Sequence, residues 1–129
     1  MKLVADPTAF EVIVTNNSYG DVLSDLTAQL AGGPGTTASA NLNCETGFCL
    51  YEPVHGSAPD IAGKGLANPI GALLSAVLML ERLGRGEAAR ALRDAVDGSV
   101  EHGVCTPDLG GSHRTREVAE DIRARLVWG

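Results

Sequence analysis

The chain has 129 residues, 44% hydrophobic and 20% charged, with a net charge of −6, which is long enough for one core and too apolar for a disordered polyelectrolyte. The acidic balance disfavours nucleic acid and anionic membranes as partners, and the longest apolar stretch, Ile70 to Leu80, falls well short of the ~20 residues that span a bilayer. Cys44, Cys49 and Cys105 are odd in number and lack C-x-x-C spacing, and the early Asp6-Pro7 breaks any secretory signal, so the expectation is a cytoplasmic protein with reduced thiols.

In chain order, Glu11-Val12-Ile13-Val14-Thr15 is a β-rich run between Asp6-Pro7 and Asn16-Asn17, which predicts a strand flanked by turns. Ser18 or Asn17 can cap a following helix, in which Val22, Leu23, Leu26 and Leu30 keep a helical period until Gly32-Gly33-Pro34 ends it. The small-residue stretch 32–47 reads as a crossover loop. Phe48 to Val54 predicts a second strand, with Pro53 ending it or placing it near an edge. A glycine-rich segment from His55 leads to Asn68-Pro69, a strong helix start because asparagine can cap the first turn and proline forfeits only an orphan donor. Ile70, Leu73, Leu74, Val77 and Leu78 then form an amphipathic stripe that closes near Gly84. Two further amphipathic helices are predicted, Glu87 to Val100 with Ala88, Leu92, Ala95 and Val96 inward, and Thr115 to Leu126 with Val118, Ile122 and Leu126 inward. The class is α/β, with few strands for about four helices. That proportion is low for a doubly wound sheet and points to a partial domain. We divide it into 1–31 (strand and aspartate helix), 32–47 (crossover loop) and 48–129 (glycine loop and C-terminal helices).

Two segments carry candidate chemistry. Asp21 and Asp25 lie four residues apart, so a helix projects both carboxylates from one face. A solvated acidic stripe near a helix N-terminus is one reading. A hard-cation site is the other, since Mg²⁺ or Mn²⁺ takes oxygen ligands and retains waters, and a 2-hydroxy acid could chelate the same ion. The segment His55-Gly56-Ser57-Ala58-Pro59-Asp60-Ile61-Ala62-Gly63-Lys64-Gly65-Leu66-Ala67-Asn68 is neither a Walker loop, because Gly65 follows Lys64, nor a dinucleotide fingerprint that directly follows a strand. Its glycines permit unusual backbone angles and close approach to a flat ligand. A compact surface Ω-loop is the competing reading.

The run Glu52 to Pro69 closely resembles the NAD-binding segment of the isocitrate/isopropylmalate dehydrogenase family. Thr15-Asn16-Asn17-Ser18-Tyr19-Gly20-Asp21-Val22-Leu23-Ser24-Asp25 resembles that family's metal-binding helix, and Thr106-Pro107-Asp108-Leu109-Gly110-Gly111 with Thr115-Arg116-Glu117-Val118 resembles its C-terminal signature. The resemblance implies the C-terminal portion of the isopropylmalate dehydrogenase-like fold and NAD-dependent oxidative decarboxylation of a 2-hydroxy acid. It also implies Mg²⁺ or Mn²⁺ held by Asp21 and Asp25, and Glu52 near the nicotinamide. Gly56 to Asn68, including Ser57, Ala58 and Ile61, are implied to wrap the adenosine half, with His55 and Asn68 by the adenine and Asp60 on the ribose hydroxyls. Relatives that use NADP carry Lys-Tyr where this chain has Asp60-Ile61, so NAD is expected: a carboxylate at the ribose repels a 2′-phosphate. The family's substrate-gripping arginines, its catalytic tyrosine and lysine and a further metal-binding aspartate are expected upstream of Met1. The expected partner is a second copy or a complementing N-terminal chain, and the isolated chain is expected to be inactive. A stand-alone nucleotide-binding or assembly module is the alternative. The stretch Gly32-Gly33-Pro34-Gly35-Thr36-Thr37 departs from the more apolar sequence of the relatives.

Overall fold

The structure, a computed structural model, describes residues 2–126. Its elements in order are α1 (Lys2–Ala5), α2 (Asn17–Leu30), β1 (Ala38–Leu42), β2 (Cys49–Pro53), α3 (Ile70–Arg82), α4 (Gly86–Glu101) and α5 (Thr115–Arg125), with short 3₁₀ turns at Pro7–Ala9, Pro34–Thr36 and Pro107–Leu109. The mixed α/β class is as expected. Among the described residues no helix is long and apolar enough to cross a membrane.

The core lies between α3, α4 and α5, where Ile70, Ala95, Val96, Val118 and Ile122 are buried and Leu73, Leu74, Leu92, Leu109 and Leu126 pack around them. These are largely the positions that helical periodicity selects. Each valine or isoleucine among the buried five, withdrawn from water, contributes about 1.5–3 kcal/mol. The opposite side of α3 carries an antiparallel hairpin in which Ala38 pairs with Pro53 and Leu42 with Cys49. The layers therefore run from hairpin to α3 to α4 to α5. Glycines make the first of these contacts close: a Cβ on Gly71 would lie 3.0 Å from the Gly35 carbonyl oxygen and 3.2 Å from that of Thr37.

Four expectations are corrected. Residues 11–15 form no strand; Val12 is 80% and Val14 92% exposed, and among the described residues no strand lies against the run to accept its backbone hydrogen bonds. The stretch 32–47 is not simply a crossover loop, because β1 lies inside it. Ala38-Ser39-Ala40-Asn41-Leu42 has little β propensity of its own and becomes a strand by pairing with β2, a tertiary effect. The cap of α2 is Asn16, whose side chain accepts from the Tyr19 N–H at 3.1 Å, rather than Asn17 or Ser18. The start of α3 is shifted by one residue from the prediction: Pro69 is the N-cap and Ile70 the first helical residue, while Asn68, just before the cap, accepts from the Ile70 N–H through Oδ1 at 2.9 Å. Cys44 is exposed, Cys49 half-buried and Cys105 buried, and all three are free thiols.

Candidate functional site

The chain folds the two chemical segments into adjoining clefts. The first lies between α2 and the hairpin. Alternation along the strands puts Ser39, Asn41 and Glu52 on one face, and Ser39 is the register partner of Glu52. Asp21, Ser24 and Asp25 of α2 meet that polar face across a cleft of about 410 Å³, which Pro53, Val54 and His55 complete. The donors are carboxylate, hydroxyl and amide oxygens, the set that Mg²⁺ or Mn²⁺ prefers. Among the described residues, no group of three His, Cys, Asp or Glu side chains converges on a point that could hold an ion. Asp21 and Asp25 thus fit a hard cation as a partial ligand set, to be completed by water, substrate or another chain.

The second cleft, about 760 Å³, is walled by His55, Gly56, Ser57, Ala58, Ile61 and Asn68, and faced by Gln29, the 32–35 turn, Asp108 and Thr115. Its size and mostly apolar, backbone-rich wall suit a small flat ligand. His55 lines both clefts because it leaves β2 at their junction. Its Nδ1 lies 3.1 Å from the Gly56 carbonyl oxygen, which accepts from an Nδ1–H. The glycine-rich loop is built of tight turns: the Ile61 N–H donates to the Ala58 carbonyl at 3.0 Å and the Lys64 N–H to the Ile61 carbonyl at 3.1 Å. Gly63 and Gly65 have φ of 74° and 67°, and Ala58 takes a φ of 40°. A left-handed alanine is strained by about 1–2 kcal/mol, a conformation the rest of the loop must enforce.

The far end of the chain ties down the second half of the loop. Thr115 donates its backbone N–H to the Gly65 carbonyl at 2.9 Å and its hydroxyl to the Ala67 carbonyl. Asn68, 7% exposed, donates Nδ2 to Asp108 Oδ2 at 2.9 Å while its Oδ1 caps α3. Asp108 in turn accepts from the Thr106 hydroxyl at 2.6 Å. The C-terminal signature thus serves as the clasp of the loop.

Of the residues selected from the sequence, Asp21, Asp25 and Glu52 share the first cleft, and His55, Gly56, Ser57, Ala58, Ile61 and Asn68 share the second. Asp60 is exposed and stands outside the lining of both. Ser24, Ser39, Asn41, Gln29, Asp108 and Thr115 were not selected. Ser39 and Asn41 carry a strand-period signal that becomes readable once β1 is recognised; Asp108 and Thr115 lie in the C-terminal signature, which by itself assigns them no role, and nothing local marks Gln29.

A family model described as isocitrate/isopropylmalate dehydrogenase matches residues 1–122. The chain is 53% identical over 122 residues to the isocitrate/homoisocitrate dehydrogenase of Thermus thermophilus, a match covering 95% of this chain and 36% of that one. It is 50% identical over 126 residues to the 3-isopropylmalate/3-methylmalate dehydrogenase of Methanocaldococcus jannaschii, covering 98% of this chain and 37% of the relative. The crystal structure of isocitrate dehydrogenase from Methylococcus capsulatus superposes with a TM-score of 0.90 at 46% identity, over 97% of this chain and 37% of that structure. The chain therefore spans little more than a third of the length of the relatives it matches.

Proposed function

The chain belongs to the isocitrate/isopropylmalate dehydrogenase family, and from that premise we propose that it supplies the NAD side and part of the metal side of an oxidative decarboxylation of a 2-hydroxy acid, with 3-isopropylmalate as the first substrate to test. The observation that carries the proposal is the junction at His55: one short stretch, Glu52 to His55, belongs at once to the carboxylate cleft and to the glycine-loop cleft. A hydroxy acid held at the first would lie next to a nicotinamide extending from the second.

In this reading Asp21 and Asp25 hold Mg²⁺ or Mn²⁺ together with the hydroxy acid, and the metal, when bound, polarises the oxygen at C2. The backbone of Gly56 to Asn68 cradles the adenosine half of NAD, which, when bound, accepts the hydride. Asp60, exposed between the cleft-lining Ala58 and Ile61, accepts from the ribose hydroxyls and repels a 2′-phosphate, which favours NAD over NADP. Thr115 and Asp108 hold the loop closed. The proton-moving and substrate-gripping groups come from outside these 129 residues, from an N-terminal segment or a partner copy, so these residues alone turn nothing over.

Calorimetric titration of the purified chain with NAD, NADP and Mn²⁺, together with NAD reduction assays on 3-isopropylmalate, isocitrate, homoisocitrate, tartrate and malate, tests this. Saturable NAD binding that weakens in Asp60→Ala, Mn²⁺ binding that weakens in Asp21→Asn and Asp25→Asn, and no turnover until an N-terminal segment of a relative is added are expected. Turnover by the chain alone refutes the division of labour. No NAD binding up to millimolar ligand refutes the cofactor assignment.

A further inference from the structure

We propose that Asp108 is a positioning residue for the second cleft: its carboxylate locks the Asn68 amide in one orientation and so sets the polarity of the edge that the cleft presents to a purine base. The inference rests on reading that cleft as a nucleotide site.

The two residues are forty positions apart, yet Asn68 Nδ2 donates to Asp108 Oδ2 at 2.9 Å, and both line the cleft. An ionised carboxylate only accepts, so it must face the amide nitrogen. On the other side the Ile70 N–H only donates, so it must face Asn68 Oδ1, which it does at 2.9 Å. A flipped amide would oppose oxygen to carboxylate and N–H to N–H. Asp108 is held in turn, because Oδ1 accepts from the hydroxyl of fully buried Thr106 at 2.6 Å. The 32–35 turn closes over the pair: a Cβ on Gly35 would lie 2.8 Å from Asp108 Oδ2 and 3.0 Å from Asn68 Cβ.

After these bonds the amide retains one N–H and one oxygen lone pair. A fixed donor beside a fixed acceptor distinguishes purine edges by polarity. Adenine offers an amino donor next to a ring-nitrogen acceptor, and hypoxanthine offers a carbonyl acceptor next to a ring N–H donor. A locked amide matches one of them in a given pose. Without the carboxylate the amide is held at Ile70 alone, which lowers the cost of the turned amide that matches the other.

The test is calorimetric titration of AMP and IMP into the wild-type chain, Asp108→Ala and Asp108→Asn, with the thermal midpoint of each protein measured alongside. Wild type is expected to prefer AMP. Asp108→Ala should weaken AMP by about tenfold, the loss that accompanies one hydrogen bond to a charged partner, while IMP changes little, so that the preference narrows. Asp108→Asn keeps the shape but can donate as well as accept. It should fall between the two and carries the test if the alanine variant does not fold. A purely structural role predicts that both nucleotides weaken together with a falling midpoint, and that pattern overturns the proposal. So does an unchanged AMP to IMP ratio in both variants. If the wild-type chain binds neither AMP nor NAD, the nucleotide reading itself fails and this inference falls with it.

Discussion

Asn68→Ala is expected to destabilise the chain by about 2 kcal/mol, and its magnitude follows from the bonds that Asn68 makes. Its Oδ1 accepts from the backbone N–H of Ile70, which is 2% exposed, so truncation leaves a buried donor with no partner and no water to replace it. Such an orphan costs about 1–3 kcal/mol, and loss of a helix cap alone typically costs ~1 kcal/mol. These are two views of one bond and do not add. Asp108, at the other end of the amide, is exposed and can hydrate, so its lost donor contributes little. An unfolding entropy of about 2.1 cal/mol/K per residue over 129 residues amounts to about 0.27 kcal/mol per degree, so ~2 kcal/mol corresponds to a drop of roughly 7 °C in the melting midpoint. Thermal melts followed by circular dichroism read this directly. Asn68→Asp separates the two ends of the side chain. It keeps an acceptor for Ile70 and a favourable charge at the helix N-terminus, but sets a carboxylate against Asp108. It should be destabilised at neutral pH, and adding Asp108→Asn should restore it. A midpoint for Asn68→Ala within about 1–2 °C of wild type, well inside the ~7 °C derived from the entropy, refutes the claim that this amide holds the start of α3.

Three further outcomes follow from named contacts. Gly111→Ala should destabilise by more than the ~1–3 kcal/mol usual for overpacking, because the new Cβ would overlap the Cys105 carbonyl, a backbone group that cannot swing aside; denaturant unfolding of the variant, or its failure to accumulate as soluble protein, is the readout. The hydrogen bond and charge of Arg125 hold the Asp121 carboxyl below the usual aspartate range, with both side chains about a quarter exposed. A depressed folded-state value contributes stability above the unfolded value that is lost as pH falls through the folded one, so the gap between wild type and Asp121→Asn should be full above about pH 4 and close below it. A gap that persists in strong acid would exclude the ion pair as its source. In native-state hydrogen exchange the amides of α2 should open at lower free energy than those of α3 and α4, since Ala28 is the one buried residue of α2 whereas α3 and α4 each bury four. Equal protection across these helices would contradict the packing described here.

The parts legible in the sequence are those set by local rules. The stripe from Ile70 to Leu78, the cap at Asn68 and the two C-terminal helices follow from periodicity and capping, and each lies within a residue or two of its predicted bounds. The parts not legible depend on partners distant in sequence. Ala38 to Leu42 has the composition of a loop and is a strand because Cys49 to Pro53 lies beside it. Val12-Ile13-Val14 has the composition of a strand and is irregular because no strand among the described residues pairs with it. The site divides the same way. Asp21, Asp25 and the glycine-rich loop announce themselves by spacing and resemblance, while Asp108 matters through a bond to a residue forty positions earlier.

The same asymmetry bears on how the two clefts relate. The glycine-loop cleft is closed within the chain, tied at Gly65, Ala67 and Asn68 to Thr115 and Asp108, which sit on elements packed into the core. The carboxylate cleft has one wall on the hairpin, which α3 supports, and one on α2, which touches the rest of the fold mainly through the Pro34–Thr36 turn. Val22 and Leu30 of α2 and the run Val12 to Val14 before it carry apolar surface exposed to water. Burying that surface against another chain would fix the position of Asp21 and Asp25 relative to Glu52 and leave the loop untouched. Nucleotide binding should therefore be a property of this chain by itself, and metal affinity a property that rises on assembly. In the proposed reading, that coupling delays the metal-dependent chemistry until the groups that move protons and grip the substrate are in place.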